Sequence, residues 1–162
     1  MKKFLLSLAV LAGAAFTASA DEVTITMAAQ DDYAEFIIDG YTFKALKNAG
    51  GTAPTFNTKN GDMRLYAKNT LEIVSPSNVQ MQKVVFNISP QGKKQQSTIT
   101  CTPGTIDAQT TGGETVTWNG DAQDIIFTVG ENNDFGTNTA KTAGQFDFTS
   151  IVITYTQTGV AK

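Results

Sequence analysis

The stretch Phe146-Asp147-Phe148-Thr149-Ser150-Ile151-Val152-Ile153-Thr154-Tyr155-Thr156 alternates apolar and polar side chains, with a single change of phase. Successive side chains of an extended strand point to opposite faces, so this pattern predicts one long β-strand. Phe146 and Phe148 lie on one register, whereas Ile151, Ile153 and Tyr155 lie on the other. A β-bulge near Thr149-Ser150 would bring all five to the same side. The alternative is a strand buried on both faces.

The same alternation recurs along the chain. It predicts strands at Val23–Met27, Phe36–Ile38, Tyr41–Ala45, Met63–Ala67 and Leu71–Ser75. It continues at Met81–Ile88, Ser97–Thr102, Thr115–Trp118 and Ile125–Val129. Turn signals punctuate the series at Asp39-Gly40, Asn48–Gly51, Asn60-Gly61, Gly112-Gly113 and Asn119-Gly120. No stretch sustains helical periodicity; Ala28–Phe36 has room for one short turn. The fold class read from this pattern is all-β: an antiparallel β-sandwich of jelly-roll-like form. Val84, Phe86, Ile88, Val116, Trp118, Ile125, Phe127 and Val129 are its expected core. Two segments without strand character, Lys47–Gly61 and Gly130–Gly144, are long enough to be functional loops.

Upstream of the first strand, Met1-Lys2-Lys3, the apolar run Phe4–Ala15 and Ala18-Ser19-Ala20 have the three parts of a secretory signal. The run is too short to cross a bilayer, which takes about 20 apolar residues. The expected organisation is therefore a signal peptide at 1–20 and a single domain at 21–162, standing alone, secreted or periplasmic, with no membrane anchor. No cysteine follows the apolar run to carry a lipid.

Histidine is absent and cysteine occurs once, which excludes a His-based catalytic triad, a histidine zinc site, a CxxC pair and an intrachain disulfide. Cys101 follows Ile99 at strand spacing and reads as a small buried hydrophobe. Without Lys2 and Lys3, the 12 basic residues become 10 against 15 acidic ones, a net charge of −5. Arg64 is the single arginine. That balance opposes phosphate neutralisation, so no nucleic-acid partner is expected.

Arg64, Tyr66 and Lys68 alternate on one predicted strand, with Asp62 beside them. An aromatic plane flanked by charged groups suits a sugar, whose ring has an apolar C–H face and polar hydroxyls. An ordinary solvated strand face has the same pattern. Tyr41 and Phe56 stand near that strand and would either add stacking surface or fill gaps beneath the loop. Trp118 is a further stacking candidate, but its register with Val116 favours the core. Glu131-Asn132-Asn133-Asp134 carries hard oxygen donors that suit a structural calcium, although consecutive residues do not match the spaced EF-hand loop. Asp31-Asp32 is a weaker candidate and reads as a solvated turn. No carboxylate pair sits in a glycosidase-like motif. Gly50-Gly51-Thr52 leads into Pro54 rather than a phosphate-binding helix. An enzyme is not expected.

Several stretches carry a resemblance: Gly50–Phe56, Gly61–Thr70, Lys83-Val84-Val85-Phe86, Val116-Thr117-Trp118-Asn119-Gly120 and Gly144–Tyr155. Together they resemble a β-sandwich domain common in secreted and surface proteins of Bacteroidota. That domain is similar in architecture to the jelly-roll sandwiches of carbohydrate-binding modules. The resemblance implies a sandwich fold and supplies no catalytic or ligand residues. The expected function is a non-catalytic module binding an extracellular glycan weakly through Arg64, Tyr66, Lys68, Tyr41 and Phe56, with no cofactor. The alternative is a structural or adhesive surface protein working through protein contacts. Exposed aromatics clustered beside polar groups would favour the sugar, and an apolar strip would favour protein contact.

Overall fold

The computed structural model describes residues 19–140 and 143–159. The expected signal peptide lies outside the described residues but for Ser19 and Ala20. The elements in chain order are β1 (Asp21–Thr26), β2 (Phe36–Ile38), β3 (Tyr41–Leu46), β4 (Thr55–Asn57), β5 (Asp62–Tyr66), β6 (Thr70–Val74) and β7 (Val79–Ile88). They continue with α1 (Gly92–Gln95), β8 (Ile99–Thr102), β9 (Thr105–Ile106), β10 (Thr115–Ala122), β11 (Asp124–Val129) and β12 (Gln145–Gln157).

Two antiparallel sheets pack face to face. The first runs β4-β5-β12-β7-β10-β9, and the second runs β2-β3-β6-β11-β8. In the first sheet, β12 spans 13 residues and pairs with β7 along one edge. Its other edge is shared: Gln145–Phe148 pair with β5, and Ser150–Tyr155 pair with β1. The register against β7 shifts between Phe148 and Ser150, so the strand carries the bulge that its change of phase predicts. Phe146, Phe148, Ile151 and Ile153 are all buried on the inner side as a result.

All eight expected core residues are buried. Phe86 stands at their centre, with Phe127 of the opposite sheet at 4.9 Å and edge-on, and Phe146 and Phe148 at 4.9 and 5.1 Å. Trp118 is buried, and its Nε1 donates to the Pro103 carbonyl at 2.7 Å.

Local chemistry sets the turns. Asp39 and Gly40 both have positive φ, which the two-residue hairpin between β2 and β3 requires. Asn119-Gly120, expected as a turn, lies inside β10 at a register shift against β7. A Cβ at Gly120 would stand 2.3 Å from the Trp118 ring, so this glycine makes room for the indole rather than reversing the chain.

Candidate functional site

Pairing of β4, β5 and β12 brings the candidate residues together on the outer face of the first sheet. Met63 and Leu65 of β5 point into the core, so Asp62, Arg64 and Tyr66 take the other side. Thr55 of β4 stands opposite Arg64, which stands opposite Asp147 of β12. Gln145 stands opposite Tyr66. The β4–β5 hairpin that presents this row is closed by Asn57, whose Oδ1 accepts from the Lys59 and Asn60 amides at 3.0 and 3.2 Å. Gly61, at φ 64°, completes the reversal.

Arg64 is anchored from below. Its Nε donates to Asp62 Oδ1 at 3.0 Å, and Ser89 Oγ donates to Asp62 Oδ2 at 2.6 Å. Asp62 is fully buried. Neither Nη of Arg64 has a hydrogen-bond partner among the described residues, and neither is sealed from solvent; the side chain keeps 17% exposure. Burial works against the Arg64 charge, but the hydrogen bond and charge of Asp62, with help from Asp147, hold its pKa above the usual range. Two positions along the strand, the half-buried Tyr66 brings its hydroxyl to 3.3 Å from Thr55 Oγ1.

On the same face lies a second buried carboxylate. Asp147 is 0% exposed, and Arg64 Nε is 3.9 Å from its Oδ2. Neither carboxylate oxygen has a hydrogen-bond partner among the described residues. Burial pushes its pKa up to about 7; the Arg64 charge opposes the rise and the Asp62 charge adds to it. Ser89 and α1 pack against the backbone at Asp147. The Ser89 amide donates to the Asp147 carbonyl at 3.0 Å, and a Cβ on Gly92 would come within 2.4 Å of that carbonyl.

The other expected residues lie elsewhere. Tyr41 is 3% exposed and belongs to the core, where burial first, and Tyr155 second, push its pKa up to about 12. It offers no face to a ligand. Phe56 pairs with Met63 and packs partly buried against the core, so it supports the hairpin from inside. Lys68 is not on the strand with Arg64 and Tyr66. It sits in the β5–β6 turn at φ 69°, and its Nζ is 3.1 Å from Glu131. The turn is held by Asn69, whose side chain accepts from the Tyr66 amide and donates to the Lys47 and Thr52 carbonyls. Asn69 thereby takes the chain off the strand before Lys68 can share the Tyr66 face.

The acidic loop spends its donors separately. Glu131 meets Lys68, Asp134 accepts from Thr98 Oγ1 at 2.7 Å, and Asn133 Nδ2 donates to the Lys94 and Asn138 carbonyls. Among the described residues, no group of three or more His, Cys, Asp or Glu side chains is placed to hold a metal ion. Thr55, Ser89 and Asp147 were not singled out by sequence reasoning. The alternation Phe146-Asp147-Phe148 marks Asp147 as outward-facing, yet it is fully buried.

The chain matches no protein-family model and no curated protein.

Proposed function

We propose that the protein is a secreted, non-catalytic binding module whose ligand is an extracellular glycan, taken on the outer face of β4, β5 and β12. One observation carries this reading: Arg64 is locked at Nε onto a buried Asp62 while its Nη edge is left open beside the half-buried ring of Tyr66. An immobilised donor fork next to an aromatic face loses little side-chain freedom on binding. Sugar hydroxyls would take the donors, and the ring's C–H face would lie on the tyrosine. The resemblance to Bacteroidota sandwich domains and to carbohydrate-binding modules supports the same reading by fold analogy. Asp62 and Asp147 are closed beneath the surface instead of facing each other across an open cleft, which favours binding over hydrolysis.

The adhesive alternative has less to draw on. Among the described residues, the exposed large apolar ones are Ile37, Leu46 and Ile126, all on the second sheet and none aromatic. The Lys44–Glu72 ion pair lies on the same outer face, with Glu72 directly opposite Ile126. They do not form a strip of the kind that marks a protein interface.

Retention on insoluble polysaccharides tests the proposal. Wild-type protein is expected to be retained by at least one, and Tyr66→Ala to weaken retention by roughly five-fold or more, as losing an aromatic contact of about 1 kcal/mol implies. Wild type washing through every polysaccharide would remove the glycan reading.

A further inference from the structure

Resting on that reading, we propose that the glycan is acidic: the Nη edge of Arg64 takes a sugar carboxylate, as in a uronic acid, while Tyr66 supports the ring. The guanidinium presents five N–H donors in a planar fork. Asp62 occupies only the Nε position, so the two Nη groups are left to the solvent side. A carboxylate is the group whose two oxygens match that fork.

The fork is fixed in place at this point. Asp62 is held from the far side by Ser89, which fixes the fork instead of letting it swing. Asp147 is the remaining carboxylate near Arg64 and does not hydrogen-bond to it. Burial raises its pKa to about 7, so below neutral pH Asp62 is the principal charge partner of Arg64. The whole chain is acidic, with a net charge of −3 at pH 7, so a polyanion gains nothing from its overall field. Binding of an acidic glycan must therefore come from a local site, and Arg64 is the one arginine available to make it.

The experiment compares polygalacturonate, its fully methyl-esterified form and a neutral polysaccharide by affinity electrophoresis and titration calorimetry. The ester keeps the sugar ring and removes the charge. Polygalacturonate is expected to bind, and esterification to weaken it by roughly ten-fold or more. Arg64→Gln is expected to lose the preference for the acid form, so that acid and ester bind it with similar affinity. Since Arg64→Gln leaves Asp62 buried without its cation, the double variant Arg64→Gln/Asp62→Asn is measured beside it, with circular dichroism as the folding check. Equal binding of acid and ester by wild type would overturn the inference, as would an undiminished acid preference in a folded Arg64 variant. Binding to the neutral polysaccharide alone would overturn the acidic ligand and leave the glycan module standing. No binding to any of the three would remove the inference, and the broader polysaccharide screen would then decide the glycan reading by itself.

Discussion

At the scale of single residues, the unusual feature is Asp147, a fully buried carboxyl group with no hydrogen-bond partner among the described residues. Burying a carboxylate is costly unless it is paired, and here the proton supplies what a partner does not. The folded-state pKa of about 7 lies above the ordinary value of 3.8. A group raised in this way stabilises the fold fully below about pH 4, and that contribution is lost as pH rises towards 7. The loss amounts to about 4 kcal/mol at most, from the size of the shift. Asp147→Asn should therefore unfold at a higher denaturant concentration than wild type at pH 8, and at nearly the same concentration at pH 4. A variant less stable by the same amount at both pH values would show that Asp147 is ionised and paired in the fold. Sequence could not have revealed this group. Its register was legible, but alternation alone does not tell whether an outward-facing group is covered.

Among the elements, legibility followed period and length. Strands of five or more residues with alternating patterns were readable, and the phase change in β12 located its bulge. Thr55–Asn57 and Thr105–Ile106 were not: two or three residues carry little alternation, and neither has the run of bulky apolar side chains and the Asp-Gly turn that mark the equally short Phe36–Ile38. α1 has four residues and shows no helical period. These short pieces nevertheless shape the candidate site: β4 brings Thr55 to Tyr66, and α1 packs beside Asp147. Lys68 was misassigned for a related reason, since the alternation Arg64-Tyr66-Lys68 continues in sequence past the point where Asn69 ends the strand. The close contact at Gly92 gives a test of this packing. Gly92→Ala places a carbon against the Asp147 carbonyl, and α1 must shift. The expected cost is about 1–3 kcal/mol, with a smaller difference in stability between pH 4 and pH 8 as water reaches Asp147. Gly51→Ala, where the new carbon meets nothing within 4 Å, serves as the neutral control in the same denaturation series.

For the molecule as a whole, two sheets are joined across Phe86, which touches aromatic rings from both. The chain crosses between sheets repeatedly, and its first strand pairs with its last. Such non-local pairing ties the candidate face to the integrity of the entire core, because β12 is both the floor of that face and the partner of β1. Phe86→Ala should cost about 3–5 kcal/mol, a large share of the stability of a domain this size. Glycan retention should fall with it in proportion to the unfolded fraction. Ile37→Ser, on an edge strand at 66% exposure, should leave both stability and retention near wild type. The most direct measurement of the central claim is an amide chemical-shift titration of isotope-labelled protein with the best-retained polysaccharide fragment. The perturbed amides are expected to gather at Thr55, Arg64, Tyr66 and Gln145, with the second sheet silent. Perturbations centred on Ile37, Leu46 and Ile126, with the β4–β5 face unmoved, would contradict it.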